Sequence, residues 1–207
     1  MTSAQEVIVA VDFDGTITDR DCVTRFLLFE LGGRDLIRAV VKSRGALVGA
    51  LLRADRGAVK AIITSWFRGR ERGRLESSGR RFAELHISKW LREDVLSLIE
   101  AHRQEGARIV IVSASYDLYV FPIASRIGAE AVLATELEFV DGVATGDFAA
   151  RNCRGEEKVR RLVDWMRLNN SSDGVHVIAY GDSSGDSELL AFAHEGILVD
   201  RRSLWRR

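Results

Sequence analysis

Five consecutive apolar residues at 7–11, four of them β-branched, read as a strand buried on both faces. Similar runs recur at 108–112 and 175–180, with shorter ones at 131–134 and 196–200. Between them the apolar period lengthens to 3.6 residues. Residues 94–103 put Val95, Leu98, Ile99 and His102 on one side of a helix that Gly106 ends, and 118–128, 156–168 and 187–193 read the same way. The single proline, Pro122, is tolerable near the first turn of its helix or as a kink. Asp141-Gly142 between two short runs predicts a hairpin over 138–145. Strands alternating with helices predict a parallel sheet with right-handed crossovers. One stretch breaks the alternation. After a polar turn at 17–22, residues 23–31 begin helical spacing, and 36–92 continue it, punctuated by glycines, as three to five helices. The pattern therefore predicts an α/β core domain over 1–17 and 90–207. A helical cap domain over 18–89 is inserted between the first two strands and stands over the carboxyl edge of the sheet.

Composition narrows the function less than charge placement does. A chain of 207 residues can bury one full core and still carry an insertion. The formal net charge of zero argues against a dedicated nucleic-acid binder. Residues 31–92, however, hold fifteen Lys/Arg against five Asp/Glu, so a segment of +10 sits inside a frame of −10. Basic residues also close the chain, at Arg201, Arg202, Arg206 and Arg207. Cys22 and Cys153 lack metal-ligand spacing and read as reduced thiols, which fits a cytoplasmic protein. The few residues before the first strand leave no room for a signal peptide, and no apolar run approaches the ~20 residues that span a bilayer.

The chemistry gathers at the strand ends. Asp12 and Asp14 close the first strand, two residues apart and so on one face, with Gly15 supplying the turn out of the sheet. In a parallel sheet all carboxyl ends face one way, so Asp12 and Asp14 meet Ser113-Ala114-Ser115 after the second strand, Lys158, and Asp182 with Asp186. Like-charged pairs at 4 Å cost on the order of 4 kcal/mol each. A hard divalent cation removes that cost, and an oxygen-only ligand set points to Mg²⁺. With Lys158 and Ser113 beside it, such a site neutralises phosphoryl oxygens, while one carboxylate attacks phosphorus and a second, protonated one serves the leaving group.

These motifs resemble the haloacid dehalogenase superfamily of phosphatases. Asp12-Phe13-Asp14-Gly15-Thr16 matches DxDGT, Ser113 closes the strand of the second motif, Lys158 stands where the third is expected, and Gly181-Asp182-Ser183-Ser184-Gly185-Asp186 matches GDxxxD. The resemblance covers essentially the whole chain and is strongest to subfamily IB, the phosphoserine-phosphatase-like branch, whose C1 cap follows the first motif. It implies a Rossmann-like parallel core and a Mg²⁺-dependent hydrolase acting on a small phosphorylated metabolite. By the same resemblance Asp12 is the nucleophile and Asp14 the general acid/base. Ser113 binds the phosphoryl group with Ala114 and Ser115 beside it, and Lys158 neutralises that group and positions Asp12. Asp12, the Asp14 carbonyl and Asp182 hold the metal, with Asp186 in support. Two positions depart from phosphoserine phosphatase: Asp21 stands where it has the Glu that helps recognise the substrate's amino group, and Gly185 where Asn is common. The alternatives are a phosphotransferase to an alcohol acceptor and a phospholipid-derived phosphate phosphatase at a membrane surface. Peripheral contact with an anionic membrane turns on residues 36–52. There Leu36, Ile37, Val40, Val41, Leu47, Val48, Leu51 and Leu52 form one face and Arg38, Lys42 and Arg53 fall on the other. The spacing favours that apolar face packing on neighbouring helices.

Overall fold

The structure, a computed structural model, describes residues 5–171 and 174–200, so the terminal basic residues lie outside it. Strand β1 (Val7–Val11) is the middle of a sheet whose register places every neighbour parallel. Between β1 and the next strand come helices α1 (Val23–Leu52), α2 (Arg56–Thr64), α3 (Arg72–Leu85) and α4 (Glu93–Gln104). Then follow β2 (Arg108–Tyr116), α5 (Asp117–Arg126), β3 (Ala131–Thr135), a hairpin of β4 (Leu137–Val140) and β5 (Val143–Phe148), and α6 (Glu156–Leu168). β6 (His176–Gly181), α7 (Ser187–Phe192) and β7 (Glu195–Leu198) complete the chain order.

The sheet order is β3-β2-β1-β6-β7. The strand order reverses beside β1, and this is where open α/β sheets place ligands, at the carboxyl ends. The apolar run at 7–11 is continuous because both faces are covered. Val9 and Val11 enter one core with Ile109 and Ile111, while Ile8 and Ala10 enter the other with Val110, Val112, Val177 and Ala179. Both cysteines are buried free thiols.

The helices after β1 leave and return through one paired crossing. Thr18 N donates to the Phe13 carbonyl, Asp19 N to Trp90, and Arg92 N to Ile17. Arg92 then ties this crossing down, donating to the Gly15 and Asp200 carbonyls and to both oxygens of Asp94. Phe26 fastens α1 to α5 and α3, with its ring centroid 5.0 Å from Tyr119, 5.4 Å from Phe82 and 5.9 Å from Phe67. At Gly79, an added Cβ would lie 2.3 Å from the Leu118 carbonyl oxygen, so α3 and α5 approach to a distance only glycine allows. The predicted hairpin forms and bonds to the helical segment, through Gly69 N to Ala144 O, Ala144 N to Arg70 O and Arg72 N to Gly142 O.

Helical spacing at 23–31 and 36–52 forms the two helical runs of α1, which meet at a kink where Gly32 takes φ 71° and ψ 162°. Two expectations change. β2 runs on to Tyr116, with a register shift after Val112, so Ser113 and Ser115 ride on the strand and do not follow it. The apolar face of 36–52 does not pack as the spacing suggests. Leu36, Ala39, Ser43, Leu47 and Ala50 turn inward, whereas Ile37, Val40, Val41, Val48, Leu51 and Leu52 are exposed.

Candidate active site

The carboxyl ends of β1, β2 and β6, the start of α6 and the helices α1 and α2 enclose a cavity of about 360 Å³. All the residues proposed from sequence line it: Asp12, Asp14, Asp21, Ser113, Ala114, Ser115, Lys158, Asp182 and Asp186. Asp12 N still completes the β1–β6 ladder, donating to Tyr180 O at 2.9 Å, so the strand itself aims the carboxylate. Gly15, at φ 83°, takes the backbone away in a conformation costly for residues with a Cβ.

Lys158 is fully buried and bridges two carboxylates. Its Nζ donates to Asp12 Oδ1 and to Asp186 Oδ1, each at 2.5 Å. The other oxygen of Asp186 accepts from Ser183 N at 3.0 Å and Ser183 Oγ at 2.8 Å. Burial works against ionising Asp186, but Lys158 and the Ser183 donors outweigh it and hold the carboxyl below its ordinary range. For Asp12 burial wins, against Lys158, and lifts the carboxyl to about 7. Lys158 is lowered by burial and raised more strongly by Asp12 and Asp186, so it stays an ammonium.

One ammonium among these buried acids leaves a deficit of positive charge. Asp12, Asp182 and Asp186 each offer a carboxylate oxygen, all within 4.8 Å of one another. An oxygen-only set at that separation fits a hard divalent cation. The Asp14 side chain lies outside this trio and is held elsewhere. Ser115 Oγ donates to Asp14 Oδ2 at 2.6 Å and accepts from Tyr119 OH at 2.9 Å. Asp14 Oδ1 is buried without a hydrogen-bond partner. Burial raises the Asp14 carboxyl to about 6, against the Ser115 bond and with help from Asp21. Ser113 Oγ accepts Ser115 N at 3.1 Å, which leaves its own hydroxyl hydrogen to donate.

Sequence reasoning missed the far wall. Arg56, Val59, Lys60 and Ile63 of α2 line the cavity, at spacings of three and four that put them on one helix face. Lys60 is buried, its Nζ has no hydrogen-bond partner, and it sits 3.7 Å from the centroid of the Tyr116 ring. Tyr116 is pinned beneath it by Thr64, also of α2, with 2.7 Å between the hydroxyls. Burial lowers Lys60 to about 7, although Asp14 and Asp21 favour its charge. Opposite, Arg154 crowds Gly185 so closely that an added Cβ would lie 2.4 Å from its Nη1. Arg154 Nη2 donates to Ser184 Oγ at 3.3 Å.

Residues 9–191 match the haloacid dehalogenase-like hydrolase family. The chain is a haloacid dehalogenase-like hydrolase. Protein CicA of Caulobacter vibrioides is 36% identical over 193 residues, covering 92% of this chain and 85% of CicA. Among solved structures, a Bordetella pertussis Tohama I protein of unknown function superposes with a TM-score of 0.80 at 20% identity, over 95% of this chain and 90% of that one. A phosphoserine phosphatase solved as a phospho-aspartyl intermediate analogue gives 0.64 at 18% identity, over 95% and 87%. Both are likenesses of fold, and the hydrolase is phosphoserine-phosphatase-like in architecture.

Proposed function

We propose that this hydrolase is a Mg²⁺-dependent phosphomonoesterase acting on a small phosphorylated metabolite through an aspartyl phosphate on Asp12. The observation that carries the reading is the division of labour between the two aspartates of β1. Asp12 lies against Lys158 within the oxygen trio, and Asp14 lies apart, held by Ser115, with one oxygen unspent. Such separated environments sort a nucleophile from an acid.

In the first half-reaction Asp12 attacks phosphorus, an Asp12–phosphorus bond forms, and the bond from phosphorus to the substrate oxygen breaks. Asp14 gives that oxygen its proton, so the alcohol leaves neutral. Ser113 donates its free hydroxyl hydrogen to a phosphoryl oxygen, and Lys158 offsets the charge that builds there. In the second half-reaction Asp14 takes a proton from water, which attacks phosphorus, releases phosphate and restores Asp12. Mg²⁺, held by Asp12, Asp182 and the Asp14 carbonyl with Asp186 in support, would supply positive charge against the phosphoryl oxygens. Ser115 keeps Asp14 in place. Residues 18–89 act as the cap, with α1 and α2 closing the cavity over the substrate's leaving group.

A second reading has one specific support. An apolar groove beside Ala50, Leu51, Ala54 and Val59 shares Arg56 and Val59 with the cavity, so a phospholipid-derived phosphate has somewhere to lay its apolar part.

Hydrolysis of a generic aryl phosphate tests the main reading. Activity with Mg²⁺ is expected, and so is its loss on chelation. Asp12→Asn forms no phosphoenzyme, and Asp14→Asn loses roughly 10²–10⁴-fold, most for poor leaving groups. Activity that survives exhaustive chelation, or near-parent turnover in Asp12→Asn, refutes it.

A further inference from the structure

We infer that the outer face of α1 seats this protein on an anionic lipid surface. The second half of α1 uses small or single apolar residues to pack inward: Leu36, Ala39, Ser43, Leu47 and Ala50. Trp66 Nε1 closes that seam with a bond to Ser43 Oγ at 3.1 Å. The larger apolar side chains point the other way. Ile37 is 66% exposed, Leu51 65% and Leu52 83%, with Val40, Val41 and Val48 between 41% and 54%. At 100° per residue these six span about 120° of the helix, over roughly 24 Å of its length. Scattered exposed apolar residues need no explanation, but six aligned on one helix face do.

Charge decides what covers it. Arg38, Lys42 and Arg53 follow along the outer edge of the stripe, and Arg44 stands within it, donating to the Val41 carbonyl at 3.0 Å. The only acid in this stretch, Asp35, is already paired with Arg38 at 2.9 Å. A second copy of the chain would set these cations against one another. An apolar sector bordered by Lys and Arg is how a helix lies in the plane of an anionic interface, with long basic side chains reaching the headgroups. No described helix is long and apolar enough to cross a membrane, so the contact is in plane. The stripe also ends at the right place. Leu51 borders the apolar groove that shares Arg56 and Val59 with the cavity, so a seated α1 puts the cavity mouth next to the interface. The inference stands on α1 alone and does not need the phosphatase reading.

Sedimentation of the full chain with vesicles tests it, using phosphatidylcholine alone and phosphatidylcholine mixed with phosphatidylglycerol, at low and high salt. Binding is expected only to the mixed vesicles, and salt weakens it. Each basic residue near such a surface contributes roughly fivefold. Replacing Arg38, Lys42 and Arg53 together by Gln should then cost on the order of a hundredfold in partitioning. Replacing Val41 and Val48 by Ser, together with Ile37, Leu51 and Leu52 by Ser, removes most of the stripe, keeps the charge, and should also release the protein. Soluble aryl phosphate hydrolysis, measured alongside, stays at the parent level in both variants and reports on the catalytic reading separately. Equal binding to both vesicle types at low salt overturns the inference, as does parent-like binding by the variant with the stripe replaced. A concentration-dependent dimer, abolished by that variant and seen without vesicle binding, assigns the face to a second copy instead.

Discussion

Lys60 is a buried cation without a hydrogen-bond partner, and it should lower stability in a way that depends on pH. Burial takes it from the ordinary 10.5 to about 7. At roughly 1.4 kcal/mol per pH unit, charging it inside the fold costs at most about 4–5 kcal/mol. Its seat over the Tyr116 ring gives back about 0.5–2 kcal/mol. Below pH 7 both folded and unfolded chains carry the ammonium, so the folded state bears the full cost. Between about 7 and 10.5 the unfolded chain holds a proton that the folded one lacks, so stability rises with pH. Lys60→Met fills the same space and removes this slope.

Urea unfolding of parent and variant at pH 7, 8 and 9, in the presence of chelator, reads the effect. The variant should be the more stable by about 2–4 kcal/mol at pH 7, and its advantage should shrink by roughly 1 kcal/mol per pH unit. Other titrations are common to both chains and cancel in the difference. A constant difference across the range, or a variant less stable at pH 7, refutes the reasoning. An interaction this costly persists where function needs it. The same variant should therefore lose affinity for phosphomonoesters whose leaving group carries a negative charge, and lose less for neutral ones.

Two further outcomes follow from distances already given. Mg²⁺ should raise the thermal midpoint of the chelator-treated protein, by the equivalent of about 2.7 kcal/mol at a hundred times its Kd, and Asp182→Asn should abolish the rise; an unchanged parent midpoint refutes the oxygen trio as a metal site. Gly79→Ala should lower the midpoint, because its Cβ meets the Leu118 carbonyl and such overpacking costs about 1–3 kcal/mol. Helix propensity alone would raise the midpoint, so the sign separates the two effects.

The strand ends were legible because a parallel sheet forces them together whatever the loops do. Asp12, Ser113, Lys158, Asp182 and Asp186 stand on elements with clear apolar runs or in the turns that follow them, and they line one cavity. The far wall was not legible. Arg56, Val59, Lys60 and Ile63 carry a readable helical spacing, but among fifteen Lys/Arg nothing in the sequence separates one buried lysine from its solvated neighbours. The role of Ser115 was hidden for a different reason. A serine two residues from another on a strand end says nothing about which oxygen it serves, and only the packing of β2 against β1 turns it onto Asp14. The inward face of 36–52 was misjudged because residues such as Ala39, Ser43 and Ala50 allow closer helix packing than their hydrophobicity suggests.

Asp21 is where substrate choice and stability overlap, and its test must keep them apart. It lines the cavity near Lys60 of α2, and its Oδ1 also accepts Thr24 N at 3.2 Å in the first turn of α1. Asp21→Ala removes both roles at once. Losing such a bond at a helix start costs about 0.5–2 kcal/mol, enough to disturb the lining of the cavity without any change in recognition. Asp21→Asn keeps an oxygen for Thr24 and removes only the charge, so it is the informative variant. With a panel of phosphomonoesters, Asp21→Asn should reorder kcat/KM, lowering it most for leaving groups that carry an amine. Aryl phosphate, which presents no such group, should be nearly unaffected. If both variants lose the same factor on every substrate, Asp21 acts on phosphorus chemistry or on the fold. If only Asp21→Ala changes anything, the Thr24 bond is its whole contribution, and recognition passes to Lys60 and Arg56 of α2.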